Sequence, residues 1–75
     1  MGAPQLSLVP GHFHQAWDDA FTALAEVRPS SMPGRWWVRV NGALAASKPV
    51  ASEEVETVLD SMGFHSQSWR SWRIE

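Results

Sequence analysis

Residues 35–44 read RWWVRVNGAL and carry the strongest fold signal in the chain. Asn41 and Gly42 both tolerate the positive φ that a type I′ turn requires, so this pair predicts a β-hairpin. Arg35–Val40 is the predicted first strand, because tryptophan and valine favour extended backbone. Ala43–Ser47 is the predicted return strand, which the turn supports more strongly than its alanines do.

A helix is predicted before this hairpin, over His12–Val27. Its apolar residues recur at the spacing of one helical face: Phe13, Trp17, Ala20, Phe21, Leu24 and Val27. Pro29 ends the helix, because the residue before a proline disfavours helical backbone. Pro29–Gly34 is then a loop by its composition.

A second helix is predicted after the hairpin, over Ser52–Met62. Ser52 is a suitable N-cap, and three glutamates follow it in the first turn, where negative charge is favourable. Gly63 is the residue type expected just beyond the helix. Phe64 then falls where a Schellman cap places an apolar contact back to Leu59.

Two further strands complete the predicted fold. Gln5–Val9 alternates polar and apolar residues, and Phe64–Ile74 is the last strand. The order β-α-β-β-α-β is that of a ferredoxin-like α+β domain, a two-layer sandwich with both helices on one face of an antiparallel sheet. If Gln5–Val9 is not a strand, a three-stranded α-β-β-α-β sandwich remains.

Length and composition favour one small domain over residues 1–75, with residues 1–4 flexible. The chain has 75 residues, a net charge of −2 and 44% hydrophobic residues, too many for a disordered chain. The absence of cysteine excludes disulfides, thiolate metal sites and a cysteine nucleophile. Because no apolar run is long enough to span a membrane and the first ten residues do not resemble a signal peptide, we expect a cytoplasmic protein.

Charged and aromatic side chains are predicted to divide between two surfaces. The acidic residues lie almost entirely on the two predicted helices. The predicted outer face of the sheet carries two tryptophans, a leucine and two arginines: Trp37, Arg39, Leu44, Trp69 and Arg73. Such an apolar face is typical of an interaction surface, and tryptophan and arginine are enriched at binding hot spots. These five residues are therefore the candidate partner-binding residues.

The sequence contains no convincing catalytic or metal-binding pattern. His12 and His14 would point in different directions on a helix, and His14, Asp18 and His65 are only a weak set. The serines lack the context of a nucleophile, and no phosphate-binding loop is present. We therefore expect no catalytic residue, no metal and no cofactor, and a protein that is not an enzyme.

The favoured function is that of a small protein-binding regulator or inhibitor, which blocks a larger protein partner through the Trp/Arg sheet face or the acidic helical face. A homodimer through the sheet is a variant of this hypothesis. The alternative is a domain that binds single-stranded nucleic acid through the Arg/Trp side. The net negative charge makes nucleic acid the less favoured partner.

Overall fold

The computed structural model describes residues 6–18, 20–65, 69 and 72–75, which form six short strands and one helix. In chain order the elements are β1 (His14–Trp17), β2 (Leu24–Pro29), β3 (Arg35–Val40), β4 (Ala43–Leu44), β5 (Val50–Ala51), α1 (Ser52–Ser61) and β6 (Arg73–Ile74). No helix within these described ranges is long and apolar enough to cross a membrane.

All strands belong to one antiparallel sheet. The strand order is β4-β3-β2-β1-β6, and β5 pairs with β3 beyond the end of β4. The longest pairing joins β2 and β3, from Ala25 opposite Val40 to Pro29 opposite Trp36. α1 contributes Val55 and Leu59 to the core on one face of the sheet. The protein is therefore a small α+β protein, as the sequence predicts.

The predicted helix over His12–Val27 is wrong, because this segment forms the β1–β2 hairpin. The two strands pair from His14 opposite Val27 to Trp17 opposite Leu24. The apolar positions fit a helical stripe, but residues 14–17 and 24–28 also alternate between buried and more exposed side chains, with the period of two of a strand. β2 also pairs with β3 on its other side, and this second pairing stabilises the extended backbone of Leu24–Pro29.

The carboxylate of Asp18 holds the turn of this hairpin. Its Oδ1 accepts hydrogen bonds from the backbone N–H groups of Thr22 and Ala23 at 2.7 and 3.1 Å, and its Oδ2 accepts one from the Thr22 hydroxyl at 2.8 Å. The hydrogen bond from the Ala23 N–H has the largest effect on the pKa of Asp18, and the one from the Thr22 side chain the next largest. Both lower this pKa below its usual 3.8. Such side-chain bonds to nearby backbone compete directly with helix formation.

Loss of the first helix overturns both predicted architectures. The ferredoxin-like β-α-β-β-α-β order and the three-stranded α-β-β-α-β alternative each need two helices, whereas the described residues contain one. The predicted strand Gln5–Val9 is also wrong over residues 6–9, and Gln5 itself lies outside the described residues, as do residues 1–4.

The predicted last strand, Phe64–Ile74, is mostly incorrect where it is described. Only Arg73–Ile74 is a strand, paired with His14 and Gln15 of β1. Phe64 and His65 are not in a strand. Residues 66–68, 70 and 71 lie outside the described part of the chain.

The central hairpin is confirmed. β3 has the predicted bounds, and Asn41 and Gly42 take φ values of 54° and 82°, the left-handed backbone that a type I′ turn needs. Asn41 also joins the turn to β2, since its Oδ1 accepts a hydrogen bond from the Leu24 N–H at 2.9 Å and its own N–H donates to the Leu24 carbonyl at 2.8 Å. The return strand β4 has only two residues, fewer than the predicted Ala43–Ser47.

The second predicted helix is confirmed with one change at its start. Ala51 is the N-cap, and the Ser52 hydroxyl instead accepts a hydrogen bond from Trp36 Nε1 at 2.9 Å. At the other end Gly63 takes a φ of 80°, and the Phe64 N–H donates to the Leu59 carbonyl at 2.9 Å. This is the predicted Schellman cap.

The core contains one buried histidine among apolar side chains. His14 is fully buried, stacked on Trp72 with ring centroids 5.6 Å apart and meeting the edge of Trp36 at 5.4 Å. Its Nε2 accepts a hydrogen bond from the Val9 N–H at 3.0 Å, which ties the N-terminal segment to the core. Burial lowers the pKa of His14 below 6.5, only partly opposed by the backbone at His12 and Val27. His14 is therefore a neutral structural residue at pH 7.

Candidate partner-binding face

The side chains that alternate with the core residues lie on the sheet face opposite α1, which we call the outer face. Its strand residues are Gln15, Trp17, Leu24, Glu26, Arg28, Arg35, Trp37, Arg39, Leu44 and Arg73. Residues that are Cα partners in a sheet point to the same side, so the strand register decides which of these side chains are neighbours.

The register arranges the outer face in rows across the strands. One row runs through Arg73, Gln15, Glu26, Arg39 and Leu44, each residue opposite the next. A neighbouring row places Arg28 opposite Trp37. Arginine and apolar side chains therefore alternate at close range over the β2–β3–β4 half of the sheet.

The outer face is basic and the helix surface is acidic. Four arginines and one glutamate lie on the outer-face strands. Glu53 and Glu54 are exposed in the first turn of α1, and Asp60 lies near its end. The sequence-based division of charge is thus visible in the fold, although Asp18 and Glu26 are not on a helix.

A slot of about 330 Å³ opens on the outer face beside β4. It is lined by Arg28, Pro29, Trp37, Arg39 and Leu44. Leu44 is 47% exposed, while Trp37 and Arg39 are half-buried. The slot therefore combines two guanidinium groups with an indole ring and two aliphatic side chains, in a cavity large enough for one or two side chains.

The two guanidinium groups of the slot have different environments. Arg28 is held above the ring of Phe13, 4.8 Å from its centroid, and its Nη2 lies 3.9 Å from Glu26 Oε2. Arg39 has a buried Nε that meets no hydrogen-bond acceptor in the described part of the chain. A buried N–H donor without an acceptor is uncommon, since leaving one costs about 1–3 kcal/mol.

The five sequence-predicted site residues are not all in one place. Trp37, Arg39 and Leu44 meet in the slot, and Leu44 lies opposite Arg39 as the two-residue turn predicts. Arg73 is exposed on the same face but lies three strands away from Arg39, about 14 Å at the usual strand spacing. Trp69 is only 6% exposed, so its interpretation as an exposed anchor is wrong.

Several members of the outer face are not among the sequence-predicted site residues. Phe13, Trp17 and Leu24 lie in the segment His12–Val27 interpreted as a helix, and Arg28 directly follows that segment. The sequence does contain a pattern that could have identified these residues. Leu24, Glu26 and Arg28 alternate with small apolar residues, which favours a strand that ends at a proline.

A second cavity, about 450 Å³, lies between residues 6–11 and the loop 30–34. Its lining is mainly proline, leucine and serine, with Trp36 and Ser52 at its base. Among the described residues, Arg35 is the one ionisable side chain that lines this cavity. Elsewhere in the described ranges, no group of three acidic or histidine side chains is close enough to hold a metal ion.

No protein-family model matches the chain, and no curated protein or solved structure is significantly similar to it. The function is therefore inferred from the geometry of the outer face alone.

Proposed function

We propose that this protein is a non-enzymatic binding module that attaches to an acidic protein partner through its outer face. The observation that carries the proposal is the meeting of Trp37, Arg39 and Leu44 with Arg28 in one slot. Buried aromatic anchors surrounded by arginine are the usual composition of a binding hot spot.

Charge complementarity indicates the kind of partner. The arginines of the outer face exceed its acidic side chains, and the acidic residues of α1 lie on the other side of the sheet, where they do not neutralise it. A basic face attracts an acidic surface and repels other basic proteins. The partner is therefore expected to present carboxylates beside apolar side chains.

A pair of matched substitutions tests this function. Leu44 on the outer face and Met62 beyond α1 are 47% and 43% exposed, so Leu44→Asp and Met62→Asp add the same charge at similar exposure. The tagged wild-type protein and both variants would be used for affinity capture from a lysate of the source organism, with quantitative mass spectrometry. We expect one acidic protein to be retained by the wild type and Met62→Asp, and lost with Leu44→Asp.

Two results would contradict this function. A partner that is lost only with Met62→Asp would assign binding to the helical side. Sedimentation experiments could instead find a dimer of the wild type that is absent in Leu44→Asp. That result would identify a second copy of the chain, and not an acidic protein, as the partner of the outer face.

Single-stranded nucleic acid is the second candidate, and it is favoured by the position of Trp37, which lies opposite Arg28 and lines the same slot as Arg39. A half-buried indole beside two guanidinium groups resembles the stacking platform of such proteins. Quenching of the tryptophan fluorescence by single-stranded oligonucleotides, abolished by added salt, would support it over the acidic protein.

A further inference from the structure

Arg39 is the arginine of the outer face that has a buried N–H donor, its Nε, without an acceptor among the described residues. Arg39 lines the slot, and no other residue of the slot accepts a hydrogen bond from this Nε–H. The facing side chains of its row are Glu26 and Leu44. The Glu26 carboxylate lies 3.9 Å from Arg28, and no hydrogen bond joins it to the Arg39 Nε–H.

The chemistry of the slot selects a planar oxyanion with an apolar neighbour. A guanidinium group presents its N–H donors in planar pairs that match two carboxylate oxygens. Pro29, Trp37 and Leu44 form the apolar walls of the slot. A ligand that fills the slot must therefore bring both a charged group and an aliphatic or aromatic side chain.

A carboxylate fits this slot better than a phosphodiester chain. Glu26 lies on the same face, beside Arg28, and opposes any further negative charge that approaches there. A polynucleotide brings a row of phosphates across the face, whereas a peptide brings one carboxylate at a time. The loose pair of Arg28 with Glu26 leaves Arg39 as the principal anion-binding group.

We propose that the slot formed by Arg28, Pro29, Trp37, Arg39 and Leu44 binds the carboxylate of an aspartate or glutamate in the partner, with an adjacent apolar residue against Trp37 and Leu44. This inference rests on the proposed function and names the chemical group that the outer face recognises. Arg39 is its carboxylate-binding residue.

A peptide titration tests the slot without any knowledge of the partner. The probes are N-acetyl-Leu-Glu-amide and the isosteric N-acetyl-Leu-Gln-amide, observed through the arginine Nε–H resonances in ¹H–¹⁵N NMR spectra. We expect the glutamate peptide to shift the Arg39 resonance to saturation, and the glutamine peptide to bind about tenfold more weakly or not at all, because a charge-assisted bond is lost.

A matched pair of arginine variants locates the site. Arg35 lies on the same strand and the same face but does not line the slot. Arg39→Gln should weaken binding of the glutamate peptide about tenfold, while Arg35→Gln should leave it unchanged. The two wild-type titrations need no variant, so the test stands even where Arg39→Gln fails to fold.

Several outcomes overturn the proposal. Equal binding of the two peptides would show that no carboxylate is recognised, and tighter binding of adenosine monophosphate would identify a nucleotide site. Failure of the peptide to bind, with capture still dependent on Leu44, would contradict the carboxylate site and leave the binding module standing. Peptide binding without any captured partner would contradict the module instead.

Discussion

The two faces of the sheet use the same strands for opposite purposes. β3 shows this most clearly, since Trp36, Val38 and Val40 are buried under α1 while Arg35, Trp37 and Arg39 lie on the outer face. Trp36 is 4% exposed and has its indole N–H bonded to Ser52, whereas Trp37 is half-buried in the slot. Adjacent residues of one type therefore have different roles, because strand side chains alternate between faces.

The largest expected effect separates these two tryptophans. Trp36→Ala should lower the free energy of unfolding by about 3–5 kcal/mol, because a buried indole is replaced by a cavity. Trp37→Ala should lower it by only about 1–2 kcal/mol, since its ring is partly hydrated already. Urea unfolding of both variants measures the difference. Equal losses would mean that Trp37 is a core residue, and the outer face would lose its central anchor.

The next prediction concerns the buried histidine of the inner face. Burial holds the pKa of His14 below 6.5 in the folded protein, so the unfolded chain binds the proton more readily. The contribution of neutral His14 to the free energy of unfolding is therefore complete above pH 6.5. It decreases as the pH falls from 6.5 toward the lowered pKa of His14. Protonation also removes the acceptor for the Val9 N–H.

Thermal unfolding between pH 8 and pH 5 measures this dependence. His12→Gln is the control, because His12 is exposed and lies only two residues away. We expect the control to keep the pH dependence of the wild type. A transition midpoint that does not decrease between pH 6.5 and pH 5 would show that His14 is not held neutral by the fold.

Ser52→Ala is expected to have a smaller effect on the inner face. The Ser52 hydroxyl accepts the Trp36 indole hydrogen bond at 2.9 Å and donates to the Gly34 carbonyl at 3.3 Å. Loss of the acceptor should lower the free energy of unfolding by about 1 kcal/mol, and leave binding at the outer face unchanged. Chemical denaturation and the glutamate-peptide titration on the same variant test both parts. A change in peptide affinity would show that the two faces are coupled.

The smallest expected change in stability is on the outer face itself. Leu44→Asp alters a side chain that is 47% exposed in the two-residue strand β4, so the free energy of unfolding should change by no more than about 0.5 kcal/mol. Denaturant unfolding checks this value independently of binding. A much larger loss would mean that the variant tests folding rather than recognition.

The central hairpin and α1 were predictable because their signals are local. Asn41 and Gly42 adopt the φ values that their residue types allow, and Gly63 and Phe64 complete the helix cap within six residues. The slot was partly predictable for the same reason. The two-residue turn sets Leu44 opposite Arg39, and strand alternation places Trp37 on the same face.

The rest of the site depends on contacts between distant parts of the chain. Arg28 reaches the slot because β2 pairs with β3. The sequence alone did not reveal this pairing, since the apolar spacing over residues 12–27 also fits a helix. The prediction for Trp69 failed for a different reason. It assumed one continuous strand through Trp69 and Arg73, whereas Trp69 itself is not in a strand.

The sequence by itself determined the α+β class, the position of the sharp turn, the second helix and the alternation of β3. These features follow from backbone preferences and side-chain periods over a few residues. The tertiary structure alone decided that residues 14–17 and 24–29 are strands, that His14 is buried and that Arg28 and Arg39 share one slot. The physical reason is that a short amphipathic segment gains most of its stability from the surface against which it packs, and that surface is formed by residues far away in the chain.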